Sequence, residues 1–230
     1  MTEQQATGAS TAGLRERKKQ RTRDALLRVA LELFTTQGYE RTTVDEIADA
    51  VDVSQRTFFR YFASKEEVAF AVQEMVESHF VAELLVRPPE ERPFAAMRNA
   101  VLCAWNTIGE AIEAVVPVEL HMRTYLMIES TPALLAAHLR RSTELEERTA
   151  RIVADREGVD LDADPRPRIA VAAFTGVMRV TGRLWGQGED ASMESIRSLT
   201  ELYLDHLEPA LAADWRAPAR TPGAPGAHEE

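Results

Sequence analysis

The chain has 230 residues, 45% of them hydrophobic, and a single cysteine, Cys103; this composition excludes wholesale disorder and an intrachain disulfide framework. A formal net charge of −10 argues against a nucleic-acid binder until it is placed along the chain: residues 1–65 hold 11 Lys and Arg against 9 Asp and Glu, the rest 16 against 28. A basic start on an acidic body is an electrostatic footprint confined to one end.

The opening MTEQQATGASTAG has no apolar run of the kind a signal peptide needs. Nothing reaches the roughly 18 consecutive apolar residues of a transmembrane helix. A cytoplasmic protein without a membrane partner is expected, with residues 1–14 disordered. The densest basic cluster comes next as RERKKQRTR, Arg15 to Arg23, with six positive side chains and one negative. A DNA-contacting arm and a solvated helix start are both open readings of it.

Helical periodicity dominates the remainder of the chain, and no alternating strand pattern is found. A first helix is predicted from about Lys18 to Gln37, with Leu26, Leu27, Ala30, Leu33 and Phe34 on one face and Gly38 as its left-handed stop. Thr43-Val-Asp-Glu46 is a capping box for a short helix ending at Ala50. Val51-Asp52-Val53 makes a turn, and Ser54 caps a third helix through Tyr61. Ser64-Lys-Glu-Glu67 is a second capping box, opening a long helix that Pro88-Pro89 must end. Further helices are predicted over Pro93–Val115, Val118–Ile128, Pro132–Glu157, Pro167–Gly186 and Ala191–Leu211, with Pro209 ending or kinking the last. The Pro- and Gly-rich tail, 214–230, is expected to be disordered.

Two short helices joined by a tight turn make a helix-turn-helix pattern. Helical phase sorts the third helix: Phe58 and Phe62 lie one turn apart on one face, Arg56 and Arg60 one turn apart on the opposite face. The rings should anchor the helix to Ile47, Val51 and Leu33. The outward arginines suit a major groove, where guanidinium groups bond bidentately to guanine. Thr43 and Lys65, each at a helix start, are placed to bind phosphates.

The run TTVDEIADAVDVSQRTFFRYFASKEEV resembles the DNA-binding signature of the TetR family of bacterial transcriptional regulators, strongly over residues 15–68. STPALLAAHLRR and DADPRPRIAVAAF are similar to that family's acyl-CoA-like C-terminal subtype, including mycofactocin-type regulators. The resemblance implies an all-α protein: a helix-turn-helix DNA-binding domain over 15–64, then a helical ligand-binding and dimerisation domain over 65–213. It implies a homodimeric repressor on a palindromic operator, double-stranded DNA as partner, and a small-molecule effector that releases it. Gln55, Arg56, Thr57, Phe59, Arg60, Tyr61 and Lys65 match positions that contact DNA in relatives. Phe59 stands where a tyrosine is frequent, which removes a hydroxyl from the phosphate-binding set. A ligand-independent adaptor or an activator of the same fold is the alternative.

For the effector, Trp105, Tyr125, Met127, Phe174, Met178 and Trp185 lie on helices that should enclose the second domain, with core packing as the rival role. His121 and Arg123 could orient a polar group of a largely apolar, acyl-CoA-like effector, although a satisfied or exposed histidine and an Arg123–Glu119 pair are plain alternatives. No GxSxG, HExxH, GxGxxG or phosphate-loop motif is present, and the five histidines lack cysteine partners. No enzyme, metal site or cofactor is read.

Overall fold

The computed structural model describes residues 3–190 and 192–212. Every regular element among them is a helix, as expected: α1 (Glu3–Gln37), α2 (Val44–Ala50), α3 (Gln55–Tyr61), α4 (Lys65–Val86), α5 (Pro93–Glu113), α6 (Val118–Ser130), α7 (Pro132–Glu157), α8 (Arg166–Gln187) and α9 (Met193–Ala212). The tail expected to be disordered, from 214, lies outside the described residues. At the other end, α1 opens at Glu3 rather than near Lys18. Residues 3–14, expected to be disordered, form its first turns; they contain no proline to interrupt the helix.

Local chemistry sets the boundaries. Thr43 N donates to Glu46 Oε2 at 2.7 Å while Glu46 N donates to Thr43 Oγ1 at 3.2 Å, so the predicted capping box on α2 is complete. Ser54 Oγ accepts from Thr57 N, and Ser64 Oγ accepts from Glu67 N. The second box differs in one bond: Glu67 reaches the amide of Ala63, one residue earlier than the reciprocal pattern requires. Between α2 and α3 the chain turns through Asp52, at φ 56°, a left-handed conformation that Asp tolerates better than most side chains. Gly158, at φ 64°, ends α7. Pro209 does not end α9, which continues to Ala212; lacking an N–H, it leaves out one bond of the ladder.

Two apolar cores hold the helices together. The first joins Leu26, Leu27, Ala30, Leu31 and Phe34 of α1 to Ile47, Phe58, Phe62 and the start of α4. On α1 the buried side chain is Leu31, with Leu33 only partly covered, because the face runs through Leu27, Leu31 and Phe34. This core does not stop at the expected boundary near residue 64. It continues through Ile108, Ile112 and Val116 to Leu120, Ile128, Leu134 and Ala137, as α1 packs against α6. The second core lies further along α4, where Phe80, Val81 and Leu84 meet Met97, Val101, Val153, Val171, Phe174 and Leu204. Arg98 ties α5 to α9 through Asp205 at 2.6 Å and Glu201 at 3.1 Å. Among the described residues no single helix is long and apolar enough to cross a membrane.

Candidate nucleic-acid interface and effector cavity

On α3, burial divides the side chains as helical phase predicts. Phe58 is fully buried and Phe62 1% exposed, their rings 5.9 Å apart. Gln55, Arg56, Phe59 and Arg60 are exposed, and Thr57 and Tyr61 are half-buried on the flanks. Phe59 stands edge-on to Phe58 at 5.4 Å, so its ring is held while half of its surface, 49%, faces solvent. The Arg60 guanidinium lies 5.1 Å over the Tyr61 ring, a cation–π contact that orients the head without neutralising it. Neither Arg56 nor Arg60 forms an ion pair among the described residues. The surface is a pair of unneutralised guanidiniums beside an exposed ring, backed by a sealed core.

Two residues expected to bind phosphate are occupied by the fold. The Lys65 ammonium donates to the carbonyls of Tyr39 at 2.9 Å and Thr42 at 2.7 Å, and lies 4.5 Å from the Tyr39 ring centroid. It pins the start of α4 to the α1–α2 connection, with at most one donor left for a phosphate. The Thr43 hydroxyl is exposed but is taken up by Glu46, which it bonds at 2.9 Å besides capping the helix. Hydrogen bonds from Thr43 keep the exposed Glu46 carboxyl below its ordinary pKa, so the cap is ionised at neutral pH.

Behind this headpiece a cavity of about 170 Å³ lies among α4, α5, α6, α7 and α8. Its apolar wall is formed by Val76, Phe80, Val101, Leu145, Phe174 and Met178, with the Phe80 and Phe174 rings stacked 5.4 Å apart. Polar groups converge on the same space: Glu77, Tyr125, His138, Ser142, Glu146, Thr149, Thr175 and Arg179. Thr149 is 1% exposed and its hydroxyl has no partner, an arrangement that costs free energy unless a ligand or water supplies one. Burial raises the Glu77 carboxyl above its usual pKa, with Glu74 adding to this and Arg141 opposing it. Burial likewise pushes the Tyr125 phenol to about 12 and lowers the His138 imidazole, so both are neutral at pH 7. Glu146 accepts from the Thr175 hydroxyl at 2.8 Å.

Of the eight residues put forward for the effector, Tyr125, Phe174 and Met178 line this cavity, whereas Trp105, His121, Arg123, Met127 and Trp185 do not. His121 is a core histidine: it is 6% exposed, sits edge-on to Trp185 at 5.4 Å, and is driven by burial to a pKa of about 4. Arg123, two residues on, is exposed. Positions i and i+2 lie about 200° apart around a helix, so this pair cannot converge. Tyr125 also seats α6 on α8. A Cβ at Gly182 would lie 3.0 Å from its hydroxyl, and one at Gly186 3.1 Å from its ring.

The sequence and the fold also match known proteins. Residues 26–72 match the family model of bacterial regulatory proteins of the tetR family, and residues 91–212 match that of the MftR C-terminal domain. The chain is 51% identical over 206 residues to the HTH-type transcriptional regulator TcmR of Streptomyces glaucescens, covering 90% of this chain and 91% of that one. This chain belongs to the TetR family. Solved structures show the same fold at low identity. NalD of Pseudomonas aeruginosa, the secondary repressor of a multidrug efflux pump, aligns over 86% of this chain and all of its own, at a TM-score of 0.55 and 18% identity. SmeT, solved in complex with triclosan, aligns over 90% and 99%, at 0.52 and 20%. As a TetR-family regulator the protein is a DNA-binding transcription factor and not an enzyme.

The side chains that sequence reasoning missed lie mostly on α7 of this TetR-family body. His138, Ser142, Leu145, Glu146 and Thr149 fall at i, i+4, i+7, i+8 and i+11, one continuous stripe turned inward. Polar residues recurring on a face that ought to be apolar were the available signal.

Proposed function

We propose that the protein is a homodimeric repressor that reads a palindromic operator with α3 and is released by a small, largely apolar effector. The observation that carries the DNA half is Arg56 and Arg60, exposed and without an ion pair, one turn apart on a helix whose opposite face is sealed. Exposed apolar side chains on α8 and α9, among them Ile169, Leu202 and Leu211, support pairing of these helices across a two-fold axis. Half-sites are then expected about one helical turn, roughly 34–36 Å, or a multiple of it, apart.

The cavity supports the effector half. It accepts a ring or a short alkyl group, and its two carboxyls, Glu77 and Glu146, against one cation, Arg179, favour a ligand without negative charge. For an acyl-CoA-like effector, only the acyl part belongs inside and the phosphates stay outside. Tyr125 lines the cavity on α6, and α6 packs on α1, so a ligand that moves this tyrosine displaces the headpiece. Release requires the effector to prefer the geometry that cannot bind DNA, since equal affinity for both shifts nothing.

Selection of sites from random DNA, repeated with candidate effectors, tests the proposal. Symmetric sites that lose affinity with an effector support it; sites without a dyad, bound at normal affinity by a monomer, end it. On the selected site, Arg56→Ala or Arg60→Ala should lose about 1–3 kcal/mol of discrimination against a changed base pair. Equal weakening on specific and random DNA would place the arginines on phosphates instead.

A further inference from the structure

The first turns of α1 carry a feature that neither core explains. From Leu14 onward the buried side chains of this helix begin at Leu26, and Leu14 to Gln20, together with Arg21, are all exposed. This stretch contains Arg15, Arg17, Lys18, Lys19 and Arg21 against a single acid, Glu16, and two of the three lysines of an acidic protein. The family match begins only at residue 26, so it assigns this segment nothing.

A helix that packs against nothing must be held by its own side-chain pairs. Here those pairs oppose it. Arg15–Lys18 and Lys18–Arg21 are spaced i, i+3; Arg15–Lys19, Arg17–Arg21 and Lys19–Arg23 are spaced i, i+4. Each brings like charges together on the helix surface, against a single ion pair among the described residues, Lys19 Nζ to Glu16 Oε1 at 3.4 Å between well-exposed groups, and one hydrogen bond, Gln20 Nε2 to Asp24 Oδ1 at 2.7 Å. A repulsive pair destabilises a helix by about as much as an attractive one stabilises it, so the free arm is frustrated. Conflict of that kind, kept in a chain whose other helices pack against one another, marks a surface shaped for a partner.

The lower end of the arm shows which partner. Arg23 lies with its Cζ 5.0 Å over the ring of Phe62, the residue that ends α3. The arm thus starts beside the C-terminal end of the recognition helix, and its rise of 1.5 Å per residue carries Arg15 about 12 Å beyond Arg23 along the axis. A polyanion next to α3 would turn every repulsive pair into shared attraction. We infer that residues 15–21 form a second DNA contact, a helical arm that binds phosphates flanking the half-site irrespective of sequence and becomes ordered as it does so.

The test compares the full-length protein with a variant carrying Arg15→Gln, Arg17→Gln, Lys18→Gln, Lys19→Gln and Arg21→Gln, and with one carrying lysine at all five positions. Binding to a random-sequence duplex is measured across a salt series. The slope of log K against log salt should fall by about 0.9 for each phosphate that is no longer neutralised, hence by about 2 per protomer for two such phosphates, in the glutamine variant only. Backbone footprinting should lose its outermost protected phosphates, and amide exchange in 15–21 of the unaltered protein should slow on adding DNA. An unchanged slope and footprint in a glutamine variant that melts like the parent overturns the inference. A slope that falls equally in the lysine variant overturns the phosphate assignment. Exchange slowed by anionic lipid vesicles but not by DNA would assign the arm to a membrane surface.

Discussion

The two cores of this molecule are built to different standards. The one that joins the headpiece to α5, α6 and α7 seats Phe34, Phe58, Phe62 and Phe70 at 1% exposure or less, and it runs without interruption across the expected domain boundary. The other encloses a cavity, an unpartnered hydroxyl and a carboxyl held above its usual pKa. The first is rigid because close-packed interiors resist deformation. The second tolerates defects that a ligand can repair. On the proposed reading, an effector held in the yielding core acts on DNA through the stiff one.

Phe58→Ala is the strongest way to break this contrast. Losing a buried phenyl costs about 3–5 kcal/mol, comparable to a whole domain's stability. Because the first core is continuous, calorimetry should show the entire chain melting earlier and not a separate headpiece transition. Unchanged melting with abolished DNA binding would mean that Phe58 faces DNA.

The next largest effect is a pH response. His121 has a folded pKa of about 4 against an ordinary 6.5, so between these values the unfolded chain binds the extra proton and stability falls as pH falls. The loss should reach about 3 kcal/mol near pH 4 and then level off. Denaturant midpoints for His121→Leu should be flatter over that window; an identical slope would remove His121 as the cause.

Lys65→Ala should cost about 1–2 kcal/mol, since it strands the carbonyls of Tyr39 and Thr42 that its ammonium now serves. An altered salt dependence of DNA binding with unchanged melting would return Lys65 to the phosphate-binding role. The smallest effect has the opposite sign. Thr149→Val removes a hydroxyl without a partner at nearly constant volume, and should raise stability by up to about 1 kcal/mol while weakening effector binding. Destabilisation would mean that the hydroxyl is satisfied by water.

Legibility in the sequence tracked the range of the interactions. Thr43, Ser54, Ser64 and Gly158 act within four residues of themselves, so helix boundaries could be read directly. The buried side of α3 was equally readable, because Phe58 and Phe62 differ from Arg56 and Arg60 by phase alone. The cavity depends on five helices converging, and no local rule places Glu77 of α4 opposite Glu146 of α7. His121 and Arg123 were chosen for chemistry, yet their spacing already forbade a shared target. Lys65 looked free because the two carbonyls that hold it lie more than twenty residues earlier.

The glycines of α8 bear on how such a regulator changes under selection. Tyr125 lies against Gly182 and Gly186 so closely that even a methyl group at either position would press on its ring or its hydroxyl. A substitution there imitates, permanently and without any molecule bound, the push that an effector would deliver from the cavity. Spontaneous alleles that uncouple the protein from its inducer should therefore arise at these two codons, far from the DNA-reading helix and without altering a single ligand-lining residue of α4 or α7. On the proposed effector mechanism the wall of the cavity is free to drift as descendants of this gene acquire new effectors, while Gly182 and Gly186 are not.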